Sequence, residues 1–118
     1  MQRFEHYGFI KGKRTSSKID AFIRFPLDSL DMSPYLYASL GGGDTSGGKS
    51  GCAELYDLYA VVVHIGSLDA GHYVCFLRRR GAWYRCDDAM VTLASAKDVL
   101  ASQAYMLFYI RQCVQYAQ

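Results

Sequence analysis

One histidine and two aspartates are the residues of this sequence whose types and spacing could perform acid–base chemistry. His72 follows a loop bounded by glycines, and Asp87 and Asp88 follow the next strand-like segment. A carboxylate that accepts a hydrogen bond from one imidazole nitrogen fixes the ring's tautomer and leaves the other nitrogen as a general base. We therefore predict a base and an orienting acid, with Nδ1 bonded to the carboxylate and Nε2 free.

The hairpin that would join these residues leaves two registers open. A four-residue turn over 78–81 places His72 opposite Asp87, whereas a three-residue turn over 79–81 places it opposite Asp88. Opposed residues share a face of the sheet, with Cβ atoms about 4.5–5.5 Å apart, so either carboxylate could reach the ring. By itself the pattern also describes a polar histidine at a sheet edge, followed by a turn.

The same stretch offers no evident nucleophile. The four cysteines are Cys52, Cys75, Cys86 and Cys113. Cys75 and Cys86 alternate with the histidine and the first aspartate along their strands, so they should point to the opposite face. No two cysteines are spaced as CxxC, which predicts neither a zinc site nor a disulfide framework. We interpret all four as reduced residues, mostly in the core.

A glycine- and serine-rich stretch contains a second motif with chemical meaning. Gly43–Ser50 matches G-x-x-x-x-G-K-S, the loop whose backbone amides cradle phosphates between a buried strand and a helix. Neither flank has that strand or helix pattern. We therefore interpret residues 39–51 as a flexible surface insertion, with nucleotide binding as a remote alternative.

The remaining segments predict the elements that must position the site. Alternating apolar residues indicate a half-buried strand over Lys18–Phe25, preceded by a polar loop over 11–17. Apolar segments at 58–65 and 104–111 indicate buried strands, and His64 is interpreted as a core histidine. A short helix over 97–102 can start at Ser95 or Ala96, with Thr92 as the alternative cap. Five or six strands and one short helix predict a β-rich α+β fold built on an antiparallel sheet.

Composition limits the class of protein. The chain has 118 residues, 51% of them hydrophobic, and a net charge of +2. This composition supports a packed core, and the charge is too small to indicate binding to nucleic acid or membranes. No apolar run approaches the roughly 20 residues that span a bilayer, and the N-terminus has no signal-peptide core. We expect one domain, or part of one, in the cytosol or nucleus.

Several short segments occur in the order found in one known family. They are Arg3-Phe4, Lys18-Ile19 with Phe25-Pro26, His64-x-Gly66, Gly71-His72-Tyr73, Trp83-x-x-x-Asp87-Asp88 and Ala104-Tyr105-x-Leu107-Phe108-Tyr109. With them the chain resembles the C-terminal part of the ubiquitin-specific proteases, which are papain-like cysteine deubiquitinases. The resemblance implies that residues 1–118 are a partial catalytic domain with the palm-like part of that fold.

The resemblance also implies roles for individual residues. His72 matches the general base, Asp87 the third member of a Cys-His-Asp triad, and Asp88 an acidic neighbour that supports the site. The loop from Gly66 to Gly71 matches a mobile loop over the ubiquitin tail. The positions that match the lining of the channel for the Gly-Gly end of that tail are Phe4 and Tyr73.

Further segments are similar to the branch of the family that serves the SAGA transcriptional coactivator. They are Arg3-Phe4-Glu5-His6, Leu30-Asp31-Met32-Ser33-Pro34, Cys86-Asp87-Asp88-Ala89 and Lys97-Asp98-Val99-Leu100. This similarity implies a nuclear enzyme that removes ubiquitin from histone H2B with adaptor subunits. The zinc-binding segments of that branch are not in this sequence, so we expect no cofactor in this chain.

The sequence departs from the family at the nucleophile. The family's cysteine lies in a Gly-Asn-Thr-Cys-like box, which these 118 residues do not contain. We expect a truncated gene model or a short form, inactive as an isolated polypeptide. The alternative function is a module that binds ubiquitin or a SAGA partner without turnover.

Overall fold

The computed structural model describes residues 4–10, 13–36 and 54–112. Its strands are β1 (Phe4–Ile10), β2 (Lys13–Lys18), β3 (Leu30–Asp31), β4 (Leu55–Ile65), β5 (His72–Arg79), β6 (Ala82–Asp87), β7 (Met90–Ala94) and β8 (Ala104–Arg111). A 3₁₀ turn spans Ser33–Tyr35, and helix α1 spans Ala96–Leu100. The predicted insertion at 39–51 and the motif at 43–50 lie outside the described residues.

The strands form two antiparallel sheets. Strands β1 and β2 make a separate hairpin, and the other six form one sheet in which β4 pairs with β3, β5 and β8. From β4 the sheet continues through β5 and β6 to β7, each step between sequence neighbours. The predicted β-rich α+β fold with an antiparallel sheet and one short helix is therefore confirmed.

One face of the six-stranded sheet carries the core. The apolar side chains buried together are Phe25, Leu58, Val61, Val63, Val74, Phe76, Trp83, Val99 and Ala104. Helix α1 contributes Val99, and a reciprocal capping box fixes where the helix begins. The Asp98 amide donates to Ser95 Oγ at 3.2 Å, and the Ser95 amide donates to Asp98 Oδ2 at 2.8 Å. Ser95, Ala96 and Thr92 were the predicted candidates, and the structure has Ser95 as the capping residue.

The predicted strand over Lys18–Phe25 is wrong, and so is the predicted loop over residues 11–17 for its described part, residues 13–17. Strand β2 occupies 13–18 and ends at Lys18, and residues 19–26 belong to no strand or helix. Of the alternating apolar side chains, only Phe25 is buried, whereas Ile23 is 36% exposed. Alternation tells which side of an extended segment is apolar, but a strand also needs a ladder of hydrogen bonds to a neighbouring strand, and no ladder of the described sheets includes residues 19–26.

The described residues contain no helix with the length and apolar character that a membrane span requires.

Candidate active site

A tight turn sets the register of the hairpin that carries the site. Strands β5 and β6 pair from Arg79↔Ala82 to Cys75↔Cys86, so the turn consists of only Arg80 and Gly81. Both turn residues have positive φ, 49° and 78°, as a two-residue hairpin turn of the type I′ class requires. Both predicted turns, of three and four residues, are therefore wrong.

His72 and Asp87 nevertheless meet. Continued past the last observed pair, the register would place the histidine level with Ala89, two residues beyond the aspartate. A shift of two residues keeps side chains on the same face, so Asp87 becomes a diagonal neighbour within reach. The imidazole Nε2 lies 2.5 Å from Asp87 Oδ1. The prediction named the wrong nitrogen, because it placed Nδ1 on the carboxylate.

Asp88 takes a different place. It lies in the turn between β6 and β7, beyond the last ladder pair Asp87↔Met90, with a positive φ of 50°. Its side chain is adjacent to the pair without a hydrogen bond to the ring among the described contacts. The structure thus brings His72 together with Asp87 and leaves Asp88 as a nearby charge.

Arg85 was missed by the sequence reasoning. Its Nη1 atom lies 3.0 Å from Asp87 Oδ2, the oxygen that His72 does not use. The carboxylate is therefore held from two directions, by an imidazole on one oxygen and a guanidinium on the other. The available signal was the spacing, since residues two apart on a strand share a face.

The charges around the pair favour an ionised state. The pKa of His72 is raised, chiefly by its hydrogen bond to Asp87 and then by that carboxylate's charge, with a smaller contribution from Asp88; partial burial and Arg85 oppose this rise. The pKa of Asp87 is lowered, first by the hydrogen bond from His72 and also by Arg85. An imidazolium facing a carboxylate is the form that both shifts stabilise.

A metal ion is the other ligand to consider here. The ligand atoms of His72, Asp87 and Asp88 lie within 4.8 Å of one another. Both oxygens of Asp87 already accept hydrogen bonds, from His72 and from Arg85. That arrangement is typical of an acid–base pair, in which the carboxylate orients the ring, more than of a cation site.

The glycine-bounded loop enters β5 directly before His72. Gly66 has a φ of 97°, a backbone conformation that residues with a side chain rarely adopt. Within the loop, the Ala70 amide donates to Ser67 Oγ at 3.2 Å. Gly71 lies against the ring of His64, which is buried as predicted. The loop is therefore shaped by a hydrogen bond within it and by the contact of its last residue with β4.

The two predicted channel residues occupy different elements. Tyr73 is half exposed on the face opposite to His72, and its ring lies 4.7 Å from that of His64 and 5.8 Å from that of Tyr105. Phe4 begins β1, where its backbone pairs with Lys18. Tyr73 thus belongs to an aromatic cluster under the loop, and Phe4 is placed by the separate hairpin.

The two described cysteines do not approach the histidine. Cys75 and Cys86 oppose each other in the ladder, on the other face of the sheet, as predicted. Burial raises the pKa of the Cys75 thiol, and its neighbour Cys86 adds to that effect. A raised pKa is the opposite of what activates a thiolate. The remaining two cysteines lie outside the described residues.

Known proteins resemble this chain over nearly its whole length. A family model described as ubiquitin carboxyl-terminal hydrolase matches residues 1–109. The chain is 39% identical to ubiquitin C-terminal hydrolase 22 of Arabidopsis thaliana, over 97% of the chain and 22% of that protein. It is 41% identical to ubiquitin carboxyl-terminal hydrolase 27 of Homo sapiens, over 98% of the chain and 26% of that protein.

Solved structures give the same result. The SAGA Ubp8/Sgf11/Sus1/Sgf73 DUB module bound to ubiquitin aldehyde matches with a TM-score of 0.76 and 36% identity, over 97% of the chain and 24% of that one. The Ubp8(C146A) module bound to monoubiquitin matches with a TM-score of 0.73 and 32% identity, over 97% and 22%. The chain therefore spans about a quarter of the length of the proteins it matches.

Proposed function

The chain belongs to the ubiquitin carboxyl-terminal hydrolase family, and we propose that it supplies the base and the orienting acid of a thiol-dependent deubiquitinase. The observation that carries the proposal is the 2.5 Å contact between His72 Nε2 and Asp87 Oδ1. A neutral imidazole that donates from Nε2 to this carboxylate has its lone pair on Nδ1. The second nitrogen is therefore the general base in the proposed mechanism.

The chemistry follows from which nitrogen is engaged. A cysteine thiol near Nδ1 transfers its proton to that atom, which leaves a thiolate beside an imidazolium. The thiolate attacks the carbonyl carbon at the C-terminal glycine of ubiquitin, and the imidazolium protonates the departing amine as the C–N bond breaks. A water molecule then attacks the thioester carbonyl, and Nδ1 takes a proton from this water. Nδ1 returns the proton to the departing thiolate.

Asp87 and its neighbours prepare the ring for these steps. The carboxylate keeps the proton on Nε2 and stabilises the imidazolium, and Arg85 holds the second oxygen at 3.0 Å. Asp88 adds negative charge that favours the imidazolium without competing for the ring. In this assignment His72 is the catalytic base, Asp87 orients it, and Asp88 and Arg85 act through them.

The nucleophile comes from outside the described residues. Cys75 lies on the opposite face of the sheet, with a pKa raised by burial, and Cys86 is beside it on that face. Because these 118 residues do not contain the family's Gly-Asn-Thr-Cys-like box, we expect the chain alone to show no turnover, and to become active when a segment carrying that cysteine packs against the His72 side of the sheet. No cofactor takes part in these steps.

Ubiquitin and a SAGA-type module are the proposed partners. Solved relatives are Ubp8 modules with Sgf11, Sus1 and Sgf73, in complex with monoubiquitin or ubiquitin aldehyde. By this likeness Gly66, Gly71, Tyr73 and Phe4 would line the path of the ubiquitin tail. Ubiquitinated histone H2B and a nuclear location complete the proposal, which invokes neither nucleic acid nor a membrane as a direct partner.

An exchange of segments tests the proposal. The matching segment of human ubiquitin carboxyl-terminal hydrolase 27 is replaced by this chain, and hydrolysis of a ubiquitin–fluorophore substrate is measured. We expect turnover that His72→Ala abolishes and Lys97→Ala, on the exposed side of α1, leaves unchanged. Turnover that survives His72→Ala contradicts the assignment. A chimera that folds and binds ubiquitin without turnover supports the non-catalytic alternative.

A further inference from the structure

A buried histidine ring occupies the space beside Gly71. The His64 side chain, at the end of β4, is only 4% exposed. A Cβ atom on Gly71 would overlap Nε2 and Cε1 of that ring and would lie 2.8 Å from Cδ2. The φ angle of Gly71 is not in the positive range that glycine alone favours. The residue is therefore limited to glycine by the ring and not by its own backbone.

The other end of the loop is fixed to the same residue. Lys18 Nζ donates to the carbonyl of His64 at 2.7 Å and lies 3.4 Å from the carbonyl of Gly66. Its side chain is 13% exposed, and Asp20 Oδ1 lies 3.5 Å from the ammonium. A largely buried ammonium that bonds to backbone carbonyls orders the chain strongly, because leaving it without partners is costly. The contact joins residues 46 positions apart.

The ring of His64 has little freedom to move. The ring centroid of Tyr73 lies 4.7 Å away on one side, and that of Tyr105 lies 6.3 Å away. Next to this cluster the ladder pairs Ile65 with His72, the first residue after the loop. The loop is therefore linked to His64 at both ends. Lys18 joins the carbonyls of His64 and Gly66, and Gly71 lies directly against the His64 ring.

We propose that His64 is a positioning residue, whose buried ring sets how closely Gly71 approaches β4 and so places His72 within hydrogen-bonding distance of Asp87. Lys18 assists by holding the carbonyls of His64 and Gly66. The catalytic consequence rests on the proposed function, whereas the geometric relation does not. The ring acts through Gly71 and contacts neither substrate nor the reacting atoms.

Enlarging residue 71 and shrinking residue 64, singly and together, tests this relation in the 118-residue chain. The variants are Gly71→Ala, His64→Ala and the double variant, and the readout is the pH titration of the His72 ring by NMR. Gly81→Ala is the control, since its φ of 78° makes alanine strained but a Cβ there meets nothing within 4 Å. This control should lower thermal stability and leave the His72 titration unchanged.

The expected result is a coupling between the two positions. Gly71→Ala alone should return the pKa of His72 to about its ordinary value of 6.5, because the clash moves the ring away from Asp87. In the His64→Ala background the same glycine substitution should change the His72 titration little. Equal effects of Gly71→Ala in both backgrounds would overturn the proposal. If Gly71→Ala does not fold, the double variant is compared with His64→Ala. The double variant should fold and show the same His72 titration as His64→Ala. A double variant that does not fold, or whose His72 titration differs, also overturns the proposal.

Lysine substitutions add an independent readout. Lys18→Arg keeps a cation at the two carbonyls and should preserve the His72 titration, whereas Lys18→Met should not. In the chimera, Gly71→Ala should lower kcat by about 10²-fold, as a misplaced base would. If the titrations of the 118-residue chain show the expected coupling but the chimera has no turnover, the proposed function alone is rejected. If the chimera has turnover but the titrations show no coupling, only the role of His64 is rejected.

Discussion

His72 and Asp87 form their hydrogen bond as diagonal neighbours and not as an opposed pair. The ladder register would set the histidine level with residue 89, yet Nε2 lies 2.5 Å from Asp87 Oδ1. Asp87 lies two residues before the position level with His72, on the same face of the sheet. Arg85, also on that face, holds its second oxygen. This geometry decides which aspartate bonds to the ring and which imidazole nitrogen that carboxylate leaves unengaged.

Removing each aspartate in turn should separate their roles. In the chimera, Asp87→Ala should lower kcat by roughly 10²-fold or more, because the ring loses the group that fixes its tautomer. Asp88→Ala should cost much less, since it removes only a nearby charge. Asp28→Ala, at an exposed carboxylate that pairs with Arg78, is the matched control. A larger loss from Asp88→Ala would reverse the assignment.

The stability that the pair contributes should depend on pH in a defined window. The folded-state pKa of His72 is raised, so its contribution is complete below the unfolded value of about 6.5 and is lost as pH rises through the folded value. The folded-state pKa of Asp87 is lowered, so its contribution is present above about pH 4 and is lost as pH falls through the folded value.

The difference in Tm between the chain and His72→Ala should therefore be largest at about pH 5–6 and shrink on either side. The charged groups that face the ring are Asp87, Asp88 and Arg85. Thermal denaturation of both chains from pH 3 to 9 is the measurement. A difference that does not vary with pH would mean that the bond contributes nothing to stability.

Arg85→Gln should raise the pKa of both partners. The guanidinium lowers the pKa of Asp87, and its positive charge opposes protonation of His72, so removing it releases both effects. NMR titration of the two side chains gives the answer. Arg79→Gln, an exposed substitution at the far end of β5, should change neither value. A fall in the pKa of His72 would show instead that Arg85 is needed to keep the carboxylate in place.

Neither described cysteine should be needed for turnover. Cys75 and Cys86 lie on the face opposite to His72, and burial raises the pKa of the first. In the chimera, Cys75→Ala and Cys86→Ala should each leave kcat within about twofold, and alkylation at the active site should still occur. Loss of activity in a variant whose thermal stability is unchanged would identify that thiol as part of the reaction.

The hairpin turn should accept a better residue. Arg80 has a φ of 49°, where asparagine is favoured, and Arg80→Asn would create the Asn-Gly sequence preferred in two-residue turns. We expect a gain of about 0.5 kcal/mol or more in the free energy of unfolding, measured by urea denaturation. Arg79→Asn, on the adjoining strand position, should give no gain. A gain there instead would place the turn one residue earlier.

Much of this protein follows from the sequence alone. The strands at 58–65, 72–77 and 104–111 were predictable because apolar and β-branched residues fill them, and helix α1 because a capping residue precedes it. The alternation of side chains also predicted that His72 and Asp87 share a face from which Cys75 and Cys86 are excluded. The short motifs predicted the family, which the comparisons confirmed.

Only the tertiary structure decided how these parts meet. A period of two residues assigns each side chain to a face, but the register depends on the turn, and a shift of two residues leaves the faces unchanged. The partner of β2, the choice of Nε2 over Nδ1, and the second contact of Asp87 are decided by groups that approach through space. Two further contacts arise in the same way, that of Gly71 with the His64 ring and that of Lys18 with two carbonyls. Each joins separate segments, and the local sequence pattern does not tell how close those segments lie.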